Sequence, residues 1–402
     1  MSLIDFEDDE YGVDEAGASS SDQDNLFESP RTQNRLIGHL AQKKLIQDLF
    51  DKGQMPHAWI LKGPSGIGKE TFAFQFSKFL LSKGAKHSHK VEEQSMFGGL
   101  DLGVEPETDT SNNIPMSYDL KHPAIDRIHS SGHGDLLFLD VDDSSARQEI
   151  KVDQVRDAVR FLQKTSSEGG WRIVIINSAD AMNSSAQNAL LKVLEEPPSN
   201  TVLILVTSAV SRMLPTIRSR CRVLDFDKLS DPDMKELIAT SNILEDSDID
   251  LNKALAFAEG RFGYLRSFIE DQGFELFNYI LEGLSSFPKI DRHAVFNIGQ
   301  KINADRNNNR INRFLRLFEW WCENLIKHFV GIRSYTFITD EERSVVEALE
   351  NYCESEKAVE ALMNICEKLN QMHRDNSWAS LDKQTLVLNA FINFENEFKK
   401  VK

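Results

Sequence analysis

Three glycines and a lysine are spaced as they are in loops that hold phosphate groups. Residues 63 to 71 read GPSGIGKET, with a short apolar run before them and a helix-forming stretch after them. Gly63, Gly66 and Gly68 carry no side chain, so backbone N–H groups there can approach phosphate oxygens closely. Lys69 can then reach the terminal phosphates of a nucleotide. The pattern indicates either a nucleotide-binding loop or a tight strand-to-helix turn kept for folding alone.

The residue after the lysine departs from this pattern. A Ser or Thr normally stands there, because its hydroxyl ligates the Mg²⁺ that accompanies a nucleotide. Here the position holds Glu70, and Thr71 comes one residue later, which turns its side chain by about 100° on a helix. A carboxylate beside a polyphosphate also repels it unless a metal ion intervenes. The sequence therefore predicts a loop of the usual shape with an altered metal ligand, and Thr71 remains a candidate nucleotide contact.

A second departure follows an apolar strand further along the chain. Residues 173 to 180 read IVIINSAD, where an ATP-hydrolysing protein with such a loop normally ends the strand in Asp or Asp-Glu. Asn177 can offer Mg²⁺ only a neutral oxygen, and Ser178 cannot act as a general base for water near neutral pH. Asp180 lies past the strand end, and we interpret it as a helix N-cap. These residues predict a degenerate ATPase site.

An arginine-rich stretch lies outside both segments. Residues 214 to 222 read LPTIRSRCR, and Pro215 fixes a turn before Arg218, Arg220 and Arg222. A guanidinium group on a loop beside a nucleotide fold can bind a phosphate. By itself the stretch is also compatible with surface arginines that are simply solvated.

Alternating strands and helices must position these residues. The predicted strands are HAWILKG, DLLFLDV, WRIVIIN and TVLILVTS, and the predicted helices include RLIGHLAQKKLIQDLFDKG, ETFAFQFSKFLLSKG, KVDQVRDAVRFLQ and SSAQNALLKVLEE. Near-continuous apolar strands between helices favour an α/β fold with a parallel sheet covered on both faces. After Phe226 the strand signals fade, and helices are predicted within residues 233 to 270, 274 to 285, 311 to 329 and 386 to 398.

Two segments lack such periodicity. Residues 1 to 34 contain ten acidic residues and one basic residue, a net charge of −9, so we predict a disordered acidic arm. Residues 85 to 133 are rich in Ser, Gly, His and Asp, and we predict a surface insertion there. The segment contains five histidines: His87, His89, His122, His129 and His133. No carboxylate or cysteine falls at a ligand-like spacing around them, so no metal site is predicted.

Composition excludes several classes of protein. The chain has 402 residues, 41% of them hydrophobic, which predicts two or three globular domains. Its net charge of −17 argues against a chain that binds nucleic acid by itself. The apolar runs are too short to cross a bilayer, and the N-terminus has no signal-peptide pattern, so a cytoplasmic protein is expected. No CxxC pair occurs among the four cysteines, so neither a zinc site nor a disulfide framework is predicted.

Taken together, three stretches resemble one family. HAWILKGPSGIGKET, WRIVIINSADAMNSSAQNALLKVLEEPP and LPTIRSRCR are similar to subunits of the bacterial DNA polymerase III clamp loader, within the AAA+ family. NALLKVLEEPP followed by Ser219-Arg220-Cys221 resembles the signature of the delta-prime and gamma/tau groups, and EGGWRIVIINSADAMN with GDLLFLD resembles delta-prime. The resemblance covers about residues 35 to 226.

This resemblance implies a domain plan and a set of partners. It implies an AAA+ α/β domain over residues 35 to 226, a helical lid over 227 to 285 and an all-α collar over 286 to 402 that joins subunits. It also implies that Arg220 reaches the ATP site of a neighbouring subunit as an arginine finger. The implied partners are the gamma/tau and delta subunits and, through the assembled complex, the sliding clamp and primed DNA. Zinc-binding cysteines of many relatives are missing, so no zinc is expected.

The departures decide between branches of that family. Asn177 and Ser178 stand where an active clamp-loader ATPase has Asp-Glu, and the lid position that often carries a phosphate-sensing arginine is assigned to Gly263 or Tyr264. The sequence is therefore interpreted as an ATPase-inactive stator that holds, at most, ATP or ADP without hydrolysis. The alternatives are an active ATPase of the gamma/tau type and a P-loop kinase or transferase that uses Glu70.

Overall fold

A computed structural model of the chain describes residues 29–84, 114–141, 149–168, 170–244, 251–270, 272–303, 309–332, 337–378 and 382–401. Most of the predicted acidic arm and residues 85–113 of the predicted insertion, with His87 and His89, lie outside these ranges. The predicted disorder of the arm therefore stays a prediction.

Among the described residues of the N-terminal half, five parallel strands form one sheet. They are β1 (Ala58–Lys62), β2 (Leu136–Leu139), β3 (Arg172–Ile176), β4 (Thr201–Thr207) and β5 (Arg222–Asp225), in the order β2-β3-β4-β1-β5. The central strands β3 and β4 are buried throughout, because helices cover both faces of the sheet. The predicted parallel sheet is thus confirmed. The edge strand β5 was not predicted, since Leu224 is its only buried residue.

The helices that cover the sheet in the described part of this half are α1 (Leu40–Asp51), α2 (Lys69–Lys83), α3 (Pro123–His129), α4 (Val152–Gln163), α5 (Ser184–Ala189), α6 (Leu191–Glu195) and α7 (Pro215–Arg218). One apolar cluster includes residues of α1, α2 and α3, and a second includes residues of α4 to α7. The phenylalanines of α2 are fully buried, with Phe76 meeting Trp59 of β1 edge to face. This burial fixes α2, and with it the glycine loop that precedes it, against the sheet.

The second part of the predicted insertion belongs to the packed domain. Residues 123 to 129 form α3, and Met116 and Ile128 lie in the same apolar cluster as the phenylalanines of α2. Tyr118 also donates a hydrogen bond from its hydroxyl to Gln75 Oε1, 2.6 Å away. The sequence assigned this segment to the surface because a helix this short shows too few turns to display its period.

The C-terminal half is helical. It contains α8 (Asp231–Ser241), α9 (Leu251–Ala258), α10 (Phe262–Glu270), α11 (Gly273–Leu284), α12 (Arg292–Asn303), α13 (Asn309–Phe329), α14 (Asp340–Tyr352), α15 (Ser355–Trp378) and α16 (Lys383–Lys400). The helices predicted after Phe226 are confirmed, whereas α12, α14 and α15 were not predicted. Among the described residues, one buried cluster includes residues from Leu229 to Phe398, so the division into lid and collar at residue 285 stays a prediction. Within the described ranges, no helix combines the length and apolarity needed to cross a membrane.

Candidate functional site

The glycine loop borders a pocket at the carboxyl ends of the parallel strands. The pocket has a volume of about 360 Å³, and residues of α2, β4, α8 and α10 line it together with the loop. This end of a parallel sheet is the usual ligand site of α/β folds, because the loops and helix N-termini converge there. All the predicted phosphate-loop side chains from Lys69 to Thr71 face this pocket.

The backbone of the loop has the conformation for which glycine is needed. Gly66 and Gly68 have φ angles of 80° and 92°, in the left-handed region. The helical half packs directly on this backbone, since Gly263 N–H donates to the carbonyl oxygen of Gly66 at 2.8 Å. A Cβ atom added at Gly66 would lie 2.8 Å from the backbone nitrogen of Tyr264. Gly66 and Gly263 are therefore required by this close approach of two backbones, whereas Gly68 is favoured by its φ angle alone.

Lys69 is bound to its own loop. It is the first residue of α2, its relative exposure is 7%, and its Nζ donates to the carbonyl oxygens of Gly63 at 2.8 Å and Pro64 at 2.5 Å. Burial lowers its pKa to about 8, against a smaller opposing effect of Asp180. A phosphate entering the loop has to replace these carbonyl acceptors, so the lysine is correctly placed but already satisfied.

Asn177 joins two carboxylates at the edge of the pocket. Its Nδ2 donates to Glu70 Oε2 at 3.1 Å and to Asp140 Oδ2 at 2.8 Å. Burial raises the pKa of Glu70 to about 7, the negative charge of Asp140 adds to this rise, and Arg31 and the Asn177 hydrogen bond oppose it. An aspartate at residue 177 would add a third carboxylate and remove the donor. The sequence identified Asn177 and Glu70 separately but missed Asp140, which directly follows β2.

The residues after Asn177 do not form the predicted helix cap. Ser178 has φ 49° and begins a short 3₁₀ turn, so α5 starts only at Ser184, with Asn183 as its N-cap. Asp180 Oδ1 instead accepts hydrogen bonds from Thr207 Oγ1 at 2.6 Å and from the Ser208 N–H at 3.2 Å. The N-cap interpretation of Asp180 was therefore wrong, because the extra turn separates it from the helix.

An arginine of the helical half also lines the pocket. Arg266 lies on α10 beside the glycine loop, and its Nε is 2.8 Å from Glu270 Oε1. Gly263 contacts the loop through its backbone and the Tyr264 ring stacks on Phe257, and their assignment to the phosphate-sensing position stays a prediction. Arg266, three residues after Gly263 on α10, was not identified from the sequence.

The predicted arginine finger lies outside this pocket. Arg220 follows α7, and the relative exposure of its side chain is 37%. Its Nη2 is 2.8 Å from Glu195 Oε1, and its Nη1 donates to the carbonyl oxygen of Thr216 at 3.1 Å. Ser219 forms the C-cap of α7, and burial raises the pKa of the Cys221 thiol to about 12. The Ser-Arg-Cys stretch is thus anchored by the end of α7 and by the buried Cys221, while the guanidinium of Arg220 is exposed.

Two described histidines of the predicted insertion bind backbone N–H groups. Of the predicted insertion, His122 Nδ1 accepts from the Ala124 N–H at 3.2 Å and His133 Nδ1 from the Asp135 N–H at 3.1 Å. Across the described ranges, no group of three or more His, Cys, Asp or Glu side chains is arranged to hold a metal ion.

Comparisons with known proteins relate the chain to subunits of DNA polymerase III. A family model described as "DNA polymerase III, delta subunit" matches residues 108–230. DNA polymerase III subunit delta' of Pseudomonas aeruginosa is 35% identical over 180 residues, which are 45% of this chain and 46% of that protein. The delta' subunit of Bacillus subtilis is 31% identical over 233 residues, or 54% and 60% of the two chains.

A gamma subunit is similar at a lower level. DNA polymerase III subunit gamma of Buchnera aphidicola subsp. Schizaphis graminum is 26% identical over 51% of this chain and 47% of that protein. The crystal structure of a gamma-subunit-related protein of DNA polymerase III from Thermotoga maritima aligns with 89% of this chain and 98% of that chain, at 15% identity and a TM-score of 0.38. The chain spans about half the length of the curated relatives that it matches. The resemblance found in the motifs is confirmed over the matched residues, where the chain is similar to delta' and gamma subunits of DNA polymerase III.

Proposed function

We propose that this chain is a delta-prime-type clamp-loader subunit that does not hydrolyse ATP and supplies Arg220 to the ATP site of a neighbouring gamma/tau subunit. The observation that carries the proposal is the contrast between a pocket without a free carboxylate at residue 177 and an exposed arginine outside that pocket. In this role the chain acts in the cytoplasm with gamma/tau and delta subunits, and meets the sliding clamp and primed DNA through the complex.

The chemistry of the pocket supports the absence of turnover. Hydrolysis needs a base that can accept a proton from water and a ligand that holds Mg²⁺. The amide of Asn177 cannot do the first, and it donates to Glu70 and Asp140. Ser178, the next residue, has only a hydroxyl. We therefore propose that this pocket binds a nucleotide without hydrolysing it.

The pocket suits a phosphate better than it suits a metal ion. Lys69, Arg266 and the glycine loop offer cationic and N–H groups around one cavity, which fits a polyphosphate. Glu70 occupies the place of the metal-binding hydroxyl, and burial and the Asp140 charge favour its protonated form near neutral pH. We propose that ATP or ADP, if held here, is bound through the loop and without hydrolysis.

Arg220 has the properties that the proposed role requires. A finger must be exposed in its own subunit and must carry its charge permanently, which arginine does. It lies outside the chain's own pocket, so it is available to a second molecule. In dissected NTPases such an arginine raises the rate by about 10³ to 10⁵.

Steady-state ATPase assays of the complex assembled with gamma/tau and delta subunits test the proposal. Arg220→Ala should lower the rate at the neighbouring site by about 10³, whereas Arg218→Ala, an exposed arginine two residues away, serves as the matched control. Lys69→Ala in this chain should change the rate by less than about twofold. The isolated chain should release no phosphate with Mg²⁺. The reverse pattern would assign the chain to the active gamma/tau type.

A further inference from the structure

We infer that Glu195 is the positioning residue of Arg220, an inference that rests on the proposed function of that arginine. Glu195 is the last residue of α6, and its Oε1 lies 2.8 Å from Arg220 Nη2. The other terminal nitrogen, Nη1, donates to the carbonyl oxygen of Thr216 at 3.1 Å and is 3.4 Å from Ser219 Oγ. Acceptors from two separate elements therefore fix the plane of one exposed guanidinium.

The backbones that carry the two charges are anchored in the same core. Val193 and Leu194 precede Glu195, Ile217 and Cys221 flank Arg220, and all four are buried in the cluster beneath this surface. The end of α6 is also tied to the sheet, since the Leu194 carbonyl oxygen lies 3.1 Å from His57 Nε2. Because neither backbone moves freely, the ion pair holds the arginine tip at one place relative to the sheet.

Folding stability does not account for the position of Glu195. The relative exposures of the Arg220 and Glu195 side chains are 37% and 53%, and ion pairs this open to water contribute little to stability. A carboxylate at the C-terminal end of a helix also opposes the helix dipole. What the pair does change is the freedom of the arginine, a long side chain whose ordering otherwise has to occur when the partner subunit binds.

This ordering predicts a kinetic effect on the neighbouring ATP site. An arginine already held in one orientation loses less entropy on reaching the γ-phosphate in the transition state. The fixed orientation of one such side chain corresponds to about fivefold to tenfold in rate. Glu195 touches no substrate in this scheme and acts only through Arg220.

The test uses the full chain assembled with gamma/tau and delta subunits. Glu195→Ala should lower kcat for ATP by about fivefold to tenfold with KM unchanged, and Glu195→Asp should recover part of the loss. Glu196→Ala, which removes the adjacent exposed glutamate, is the matched control and should leave kcat unchanged. In the double variant, Glu195→Ala should have no further effect on Arg220→Ala, because there is no guanidinium left to orient.

Two outcomes overturn the inference, and they differ from each other. If Arg220→Ala slows the complex but Glu195→Ala does not, or if the two losses multiply in the double variant, the positioning role fails and the proposed function stands. If Arg220→Ala has no effect, the proposed function fails and the inference fails with it.

Discussion

Both halves of the chain line the pocket, whereas the Arg220 loop (residues 219–221) lies on the α/β half, and the charged groups of the two regions are satisfied in different ways. In the pocket, Lys69 binds its own loop carbonyls and Asn177 binds Glu70 and Asp140. At the loop, Arg220 is held by an exposed glutamate that water or a partner can replace. The polar groups of the pocket bind other groups of the same chain, whereas the charge of Arg220 is exposed at the surface. The comparison shows that one α/β fold can satisfy one set of charged groups internally and present another at its surface.

Substitution in the glycine loop should have the largest effect and would break the internal packing of the pocket. Gly66→Ala places a Cβ 2.8 Å from the backbone nitrogen of Tyr264 at a φ of 80°. We expect a loss of about 2–4 kcal/mol in the free energy of unfolding, measured by thermal denaturation of the full chain. Gly53→Ala is the control, since its φ is 64° and no atom lies within 4 Å of the added Cβ, and it should cost about 1 kcal/mol. Equal losses would contradict the importance of the backbone contact.

Protonation of the pocket gives the next largest effect. The folded-state pKa of Glu70 is about 7 and its ordinary value is 4.5, so the folded chain binds the proton more tightly than the unfolded chain does. Stability due to this proton is complete below pH 4.5 and is lost as pH rises through 7. Glu70→Gln cannot ionise and should therefore be the more stable protein above pH 7, by about 2 kcal/mol after allowance for partial solvent access.

Unfolding of Glu70→Gln and the unmodified chain at about pH 5 and pH 8 measures this difference. The two proteins should be nearly equal at the lower pH and diverge at the higher one. A constant difference across the range would show that the carboxyl group does not titrate in the folded chain as its surroundings predict. Glu196→Gln, a change at an exposed carboxylate, provides the control.

Introducing Mg²⁺ ligands into the pocket should make its polar groups available to a nucleotide and its metal ion, as Arg220 is available at the surface. In the double variant Glu70→Thr with Asn177→Asp, the carboxylate at residue 177 faces one acidic neighbour, Asp140, in place of two, and can bind Mg²⁺. We expect the isolated chain to bind ATP about tenfold more tightly with Mg²⁺ than with a chelator, measured by calorimetry. Asn177→Asp alone should not show this gain, since Glu70 remains. If the double variant bound ATP equally well with Mg²⁺ and with a chelator, residues 70 and 177 would not be what limits metal binding in this pocket.

The smallest effect is expected at the exposed loop. Glu195→Ala removes an ion pair between two side chains open to water and should change the free energy of unfolding by less than about 0.5 kcal/mol. Thermal denaturation of the isolated chain measures this. If Glu195→Ala lowered the free energy of unfolding as much as Gly66→Ala does, the Glu195–Arg220 ion pair would be part of the structural core. The pocket and the Arg220 loop would then not differ in the way described above.

The sequence was most informative where local patterns and burial agree. The runs that became β1, β3 and β4 are apolar on both faces, so they could be predicted as strands of a covered parallel sheet, and GPSGIGKET could be placed between a strand and a helix. The edge strand β5 and the helix α3 were missed, because each buries too few residues to display a period. Both elements are short, and β5 is also largely exposed, so neither shows a clear pattern of apolar residues.

The site residues show a different limit. Asn177 and Glu70 were each identified as departures from a pattern, but no spacing along the chain shows that Asn177 bridges Glu70 to Asp140. Arg266 was missed for a related reason, since only the start of α10 decides which residue of the helical half reaches the pocket. Contacts between distant segments depend on packing, which the sequence determines only as a whole.

The hydrogen bond between Gly66 and Gly263 has a consequence for the whole chain. Gly263 belongs to α10, and α10 shares one continuous buried cluster with α16 near the C-terminus. Because this hydrogen bond joins the two backbones directly, a displacement of the glycine loop has to carry the start of α10 with it or break the bond.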